Sequence, residues 1–483
     1  ETGKPQPSAV LDVNEAIDTI NTCLEQARRD QDRPPLGVGL AITPFNYPFA
    51  ITMIRVIELL AGGNAVILKP SRQTPVVAEM VVRVLRQAGV PPETLQFLPG
   101  RSDVVGDALV GHPGIDAIAL TGSPGAARKI REVAATHPSR RNGIKIVVAE
   151  TGGKNPLIVD ETADMDVAVE AILHGAFQFN GQRCSAVSRV IVHESRKVEL
   201  ERRLVEGACS MIAGDPQDPA VQYGPMIDEE ALRKARLYTT IRAEDKARLL
   251  FAADTSHLGS GGVWMGPHIF TDVDPKSRLA QEEIFGPVLS IITYSKFAEA
   301  ITIANGVAYG LTAGLISRMP SHIRMFFGQV QAGNKYVNRS ITGARPWETP
   351  FGGVKDSGTG PKSGGEHIVA RFTRPEESHW RPMDTIQPLS EAHEVMMTTS
   401  LRELVQMDQL DKQQRDWRNT SLTKRHQFLA RIRAQVAGRG LDPSIKQGFL
   451  ERLTRMTDEL NHYLMPRETI GLPGERNEVL HDS

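Results

Sequence analysis

The sequence predicts an α/β protein built from two parallel-sheet units with a helical C-terminal tail. Three observations carry that expectation. Short apolar runs alternate with helix-period segments over the first two hundred residues, which is the pattern of strands joined by crossover helices. Turn residues gather at the ends of those apolar runs, where parallel sheets hold their ligands. From about Thr373 the composition turns to Arg, Gln, Glu and Met with helical spacing, as in Leu401, Leu404 and Val405, then Phe428, Leu429 and Ile432. At 483 residues the chain exceeds one ordinary core, so two or three domains are expected.

Each element follows in order. Leu36 to Thr43 is a strand closed by Pro44, and Ile51 to Leu60 has helical apolar spacing. Ala65 to Leu68 is a strand ended by Lys69-Pro70, and Thr74 to Ala88 is a helix stopped by Gly89. Thr94 to Leu98 and Ala117 to Leu120 add two strands, each followed by a glycine-containing turn. A second unit begins with strands Lys145 to Ala149 and Pro156 to Val159. The helix Asp166 to Phe179 then leads into the loop Gly181 to Cys184, and a strand resumes at Arg189 to Val192. No internal repeat or low-complexity tract interrupts this order.

Composition narrows the partners. Lys plus Arg number 56 and Asp plus Glu 57, a balance that gives no electrostatic reason to bind nucleic acid or an anionic membrane. The run most similar to a membrane span, Phe49 to Leu68, carries Arg55 and Glu58 and is split by Gly62-Gly63. The N-terminus shows no basic-then-apolar leader and no initiator Met, so a processed, engineered or excerpted chain is expected. Cys23, Cys184 and Cys209 are odd in number and widely spaced. They form no disulfide framework or metal-ligand pair, which points to a reducing cytoplasm and no metal site. Cys23 and Cys209 are expected to be small buried hydrophobes.

Cys184 differs in setting, because Gly181-Gln182-Arg183 makes a turn just before it. From the residues alone it is either an exposed nucleophile or a buried thiol. Glu150 closes an apolar strand and is followed by Thr151-Gly152-Gly153, so it is either a site carboxylate or a solvated loop residue. A thiolate that adds to an aldehyde and a carboxylate that activates water would form one chemistry. Their separation of 34 positions is about one crossover, which allows the two to face each other. Asn46, in Pro44-Phe45-Asn46-Tyr47-Pro48, is an ordinary turn residue or a donor to an oxyanion. Lys69, followed by Ser71 and Arg72, ends a strand where a nucleotide ribose or phosphate could be met. Gly122-Ser123 precedes a helix start suited to a pyrophosphate, although no G-x-G-x-x-G fingerprint occurs in this unit. Glu283 and Phe285 lie in Glu282-Glu283-Ile284-Phe285-Gly286-Pro287. Phe351 opens a glycine-dense stretch that runs to Gly364-Gly365.

Taken in order, these segments resemble the aldehyde dehydrogenase superfamily over roughly residues 1–373. PFNYP, LKPS, the Gly100 to Gly106 segment, TGS, ETGGKNP, GQRCS, EEIFGPV, YVNR and PFGG recur in sequence. The resemblance implies a Rossmann-like cofactor domain over 1–150 and an α/β catalytic domain over 151–345. A return to the cofactor domain with a substrate anchor loop would follow over 346–374, then a helical extension over 375–483. It implies Cys184 as nucleophile, Glu150 as general base, and Asn46 with the Cys184 N–H as oxyanion hole. Thr43, Pro44, Phe45, Lys69, Ser71, Arg72, Gly100, Gly106, Gly122, Ser123, Glu283 and Phe285 would line the cofactor. Within the superfamily, Tyr336 to Ala344 and Ser357 to Gly365 are similar to the enzymes that oxidise L-glutamate γ-semialdehyde. There Ser185, Gly364, Gly365 and Phe351 would hold the substrate. Leu472 to Asn477 resembles a segment near the end of bifunctional proline utilisation A proteins, which implies a proline dehydrogenase domain or partner outside this chain. A homo-oligomer is also implied.

Three features depart from the family pattern. Arg72 stands where glutamate is usual, so NADP is admitted beside NAD. Ala127 replaces a common glycine. The family's N-terminal segment is missing, which suggests an excerpt of a longer protein. Two rival readings remain at this level: a dehydrogenase of another small aldehyde such as succinic semialdehyde, and an inert scaffold that keeps the fold.

Overall fold

The computed structural model describes residues 1–374, apart from 31, 241–246, 260–261 and 347. The helical tail expected over 375–483 lies outside the described residues. Five strands come first: β1 (Val38–Ile42), β2 (Ala65–Lys69), β3 (Leu95–Phe97), β4 (Ala117–Thr121) and β5 (Ile146–Glu150). They form one parallel sheet in the order β3-β2-β1-β4-β5. The strands expected from sequence are all present, with their ends moved by one or two residues: β1 and β3 are shorter than expected, β2 and β4 each run one residue further, and β5 is shifted by one.

Alternation along these strands explains why both faces need cover. Val38, Leu40, Ala65 and Ile67 pack on one side with Leu109, Val110 and Ala127. Ala41, Val66 and Leu68 point to the other, against Met53, Ile57 and Leu60 of the helix Ala50–Ala61. A parallel sheet buried on both faces is the doubly wound arrangement. The run 49–68 is thus a helix, a turn and a strand, and no helix among the described residues is long and apolar enough to cross a membrane.

One long element is not legible in the sequence. The helix Gln6–Arg29 buries Ala16, Ile17, Ile20, Cys23 and Ala27, but also Asp12, Thr19 and Gln26. Those buried polar positions mask its apolar stripe. Asp12 has partners: it accepts from the Ala50 N–H at 2.8 Å and from Lys4 Nζ at 3.0 Å.

The second sheet holds β6 (Asn155–Val159), β7 (Val187–His193), β8 (Arg248–Ala252), β9 (His268–Thr271), β10 (Val288–Tyr294), β12 (Thr312–Ile316) and β13 (Asn334–Val337). Its order is β13-β12-β6-β7-β10-β9-β8, parallel except for β8. A short ribbon pairs β11 (Tyr309–Gly310) with β14 (Val354–Lys355). Leu157, Val190 and Leu289 pack against the helix Met165–Phe177, while Ile158, Ile191 and Leu315 face Ile301 and Phe326 on the other side. Cys23 is buried as expected, but Cys209 is exposed. The helix Lys197–Cys209 turns Leu200, Leu204 and Ala208 inward, and the next residue falls about 100° away from that face.

Candidate active site

The candidate residues collect at the C-terminal ends of the first sheet. β1 runs into Thr43-Pro44-Phe45-Asn46, β2 ends on Lys69, β4 runs into Gly122-Ser123, and β5 ends on Glu150. β1 lies between β2 and β4, so the chain leaves it in one direction and returns on the other side. Such a switch point opens a crevice between neighbouring strand ends. The site residues from four separate turns therefore share one rim.

This crevice offers groups that could hold a dinucleotide. Lys69 is buried, and its ammonium donates to the neutral Pro70 carbonyl at 3.2 Å, leaving donors for a ribose or phosphate. Burial lowers its pKa. Gly106 lies beside the Lys69 stem, at the end of the turn Ser102–Gly106 that follows Gly100. Ser123 caps the helix Pro124–Thr136 and accepts from the Ala126 N–H at 3.2 Å. A helix start of this kind could receive an anion. Thr43 accepts from the Thr52 hydroxyl at 3.0 Å, and Ser71 bonds Gln73. Arg72 does not lie free. Its Nη2 meets Glu230 Oε2 at 2.8 Å.

The turn before Cys184 is built by left-handed backbone. The helix expected to reach Phe179 ends at Phe177 instead, because Phe179 and Asn180 take φ of 53° and 55°. Gly181 continues at 62°, where a Cβ would stand 2.7 Å from the carbonyls of both Ala176 and Gly286. Three successive left-handed residues reverse the chain at a cost that packing must offset. Asn180 helps, donating to the Met265 carbonyl at 2.9 Å. Arg183 tethers the loop to the first helix through Ser8 Oγ at 3.0 Å.

Asn155, the first residue of β6, then fixes the far side of the loop. Its Nδ2 donates to the carbonyl of Cys184 at 2.7 Å and to that of Ala186 at 2.9 Å, and its Oδ1 accepts from the Thr312 N–H at 3.1 Å. In the sequence this residue sits inside the ETGGKNP segment with no role assigned to it. Its signal is a polar residue opening an otherwise apolar strand.

Cys184 keeps a partly exposed edge, yet burial pushes its thiol up to about 12. The charges of Glu283, Glu15 and Glu150 add to that rise, and the Ser185 N–H opposes it. The thiol therefore senses both Glu150 and Glu283, which are far apart in sequence. Asn46 is buried in the turn after β1. Tyr47 beside it lies under Lys4 Nζ, 3.7 Å from the ring centroid.

Glu150 is buried, and burial raises its carboxyl to about 8 against the opposing charge of Arg55 and the bond from the Gly353 N–H. That N–H donates to Oε2 at 2.9 Å, while the buried Oε1 has no hydrogen-bond partner. A carboxylate with one idle oxygen can take a proton from water. Behind it, Arg55 pairs with Glu58 at 2.7 Å and donates to Thr121 at 2.9 Å. In the sequence Arg55 and Glu58 are only charges that spoil a membrane span. In the fold they stand at the base of the site.

Glu283 reaches across to the β5 end, where its Oε1 accepts from the Gly153 N–H at 3.0 Å. A Cβ on Gly152 would fall 1.8 Å from that oxygen, so this approach requires glycine. Phe285, at φ 60°, sets its ring edge-on to Phe45 with centroids 5.8 Å apart. Two expected cofactor residues from different sheets thus touch.

At the other end, Phe351 and Ser363 exchange backbone bonds of 2.9 Å. Gly364 and Gly365 follow directly. The Gly365 N–H donates to the Lys362 carbonyl at 3.0 Å, and the Gly365 carbonyl accepts from Gln26 at 2.8 Å. The first helix therefore pins the glycine-rich loop as well as the cysteine loop. Ser185 is half-buried beside the thiol.

The aldehyde dehydrogenase family model matches residues 1–378. The chain belongs to that family. Among its dehydrogenase relatives, 1-pyrroline-5-carboxylate dehydrogenase of Geobacillus sp. (strain WCH70) is 40% identical over 381 residues, 76% of this chain and 73% of that protein. The protein of the same name from Bacillus subtilis (strain 168) is 37% identical, covering 77% and 76%. Among solved structures, 1-pyrroline-5-carboxylate dehydrogenase from Thermus with bound NAD superposes with a TM-score of 0.74 at 38% identity, over 77% of this chain and 75% of that one. Proline utilization A from Bdellovibrio bacteriovorus gives 0.74 at 37% identity, over 77% of this chain and 40% of that one. The aldehyde dehydrogenase fold expected from the ordered motifs is the fold observed.

Proposed function

We propose that this aldehyde dehydrogenase oxidises L-glutamate γ-semialdehyde to L-glutamate through a covalent thioester on Cys184, with NAD as the oxidant. The convergence of Cys184 and Glu150 on one crevice supports the chemistry, and the relatives' names support the substrate. We assign 1–150 with 346–374 to the cofactor unit and 151–345 to the catalytic unit.

Lys69, Ser123, Glu283 and Phe285 would hold NAD, which when bound supplies the acceptor for the aldehyde hydride. The Cys184 sulfur, once deprotonated, adds to the carbonyl carbon. The Asn46 amide and the Cys184 N–H then stabilise the oxyanion of the thiohemiacetal, worth about 10²–10³ in rate per donor. Loss of hydride restores a C=O bond and leaves the thioester. Glu150 takes a proton from water, which attacks the acyl carbon and releases the Cys184 thiolate. The balance is aldehyde, NAD and water to carboxylate, NADH and two protons. Ser185 and the backbone near Gly364 would receive the substrate's α-carboxylate.

Initial rates of NADH formation test the substrate. Glutamate semialdehyde is expected to exceed succinic semialdehyde in kcat/KM. Equal values for the two would contradict the assignment.

A further inference from the structure

We propose that Asp228 and Glu230 make the Arg72 rim select NAD over NADP by occupying the guanidinium that a 2′-phosphate would need. The inference rests on the reading that the Lys69 crevice takes a nicotinamide dinucleotide. Arg72 stands three residues beyond Lys69, on the same turn after β2. Alone, an arginine there favours a 2′-phosphate. Its partners reverse that preference.

Arg72 Nη2 lies 2.8 Å from Glu230 Oε2 and 3.8 Å from Asp228 Oδ2. Asp228 is firmly placed. It accepts from the Ala231 N–H at 2.9 Å, at the start of the helix Glu229–Thr240, and from Gln73 Nε2 at 3.0 Å. Burial tends to raise its carboxyl, but those two bonds and the Arg72 charge keep it below the ordinary range. Gln73 also ties the acid to the turn that carries Arg72. Two carboxylates against one guanidinium leave the rim with a net negative charge. Asp103, in the turn after Gly100, adds another carboxylate within the field of Arg72, although Arg101 pairs it at 2.7 Å.

A ribose 2′-hydroxyl meets this rim without penalty. A 2′-phosphate, with nearly two negative charges, must displace both acids from Arg72 before it gains a partner. The Arg72 pairs are more than half exposed on the arginine side, so the effect is modest: about tenfold in relative affinity.

Binding rather than turnover tests the proposal. NADH and NADPH are titrated by fluorescence into the wild-type chain, the D228N/E230Q variant and the R72A/D228N/E230Q variant. The asparagine side chain brought in by D228N keeps an acceptor for the helix start, so the fold is preserved. The double variant is expected to shift the ratio of dissociation constants about tenfold toward NADPH, and adding R72A is expected to abolish the gain. An unchanged ratio in the double variant, or a gain that survives loss of Arg72, overturns the proposal. Failure of the wild-type chain to bind either nucleotide is a separate result, which overturns the dinucleotide reading beneath it.

Discussion

The Asn155 side chain donates to the Cys184 carbonyl at 2.7 Å. A residue of the second sheet thereby sets the backbone of the nucleophile loop, including the N–H proposed to face the oxyanion. Positioning errors of about 1 Å cost roughly 10²-fold in rate. Asn155→Ala is therefore expected to lower kcat about 10- to 100-fold while leaving the dissociation constant of NADH unchanged. Steady-state rates with parallel nucleotide titration check this. A purely structural role would weaken nucleotide binding and thermal stability together.

Glu150 carries opposing demands of stability and catalysis. Its carboxyl is raised to about 8 in the folded chain from an ordinary 4.5. The protonated form is thus favoured on folding. That stabilisation is full below about 4.5 and is lost as pH rises through about 8. Glu150→Gln removes the ionisation and keeps an acceptor for Gly353, so it is expected to raise the Tm at about pH 9 by about 2 °C or more. The same variant is expected to lose thioester hydrolysis by about 10²-fold or more. In the wild-type chain, hydrolysis is expected to rise with pH to a plateau above about 8. Thermal scans and single-turnover kinetics from about pH 6 to about pH 10 measure both arms.

Asn46 is proposed to act on charge that develops only in the reaction. Asn46→Ala is expected to reduce kcat and kcat/KM alike by about 10²–10³-fold, with KM for the nucleotide unmoved. A change confined to KM would place Asn46 in ground-state binding instead.

Ser185 gives a test of substrate recognition. A hydrogen bond to a carboxylate contributes about 1.5–3 kcal/mol. Ser185→Ala is expected to raise KM for glutamate semialdehyde about 10- to 100-fold. Propanal, which has no α-carboxylate, is expected to show the same KM in both proteins. Kinetics with the two aldehydes separate recognition from damage to the neighbouring thiol.

The strands that carry the site are legible because parallel strands buried on both faces read as apolar runs with turn residues at their ends. Ile146 to Ala149 followed by Glu150 is such a case, and Ala65 to Leu68 followed by Lys69 is another. The helix Gln6–Arg29 is not legible, because Asp12, Thr19 and Gln26 are buried on it and break the apolar stripe. The partners of Asp12 and Gln26, Ala50 and the 365–369 backbone, are distant in sequence. The pairing of Arg72 is hidden for the same reason: Glu230 lies 158 residues away. The left-handed turn at Phe179 and Asn180 cannot be read either, since neither residue is glycine and the strain is held by packing around Gly181.

The central claim is that Cys184 carries the acyl group. In the Glu150→Gln variant the thioester is expected to outlive mixing, since its hydrolysis is slowed. Mass spectrometry of that variant, quenched in acid after mixing with glutamate semialdehyde and NAD, reads the site directly. The account predicts a glutamyl adduct on the peptide containing Cys184, with none on those containing Cys23 or Cys209. NADH formation with no adduct at Cys184 would contradict it.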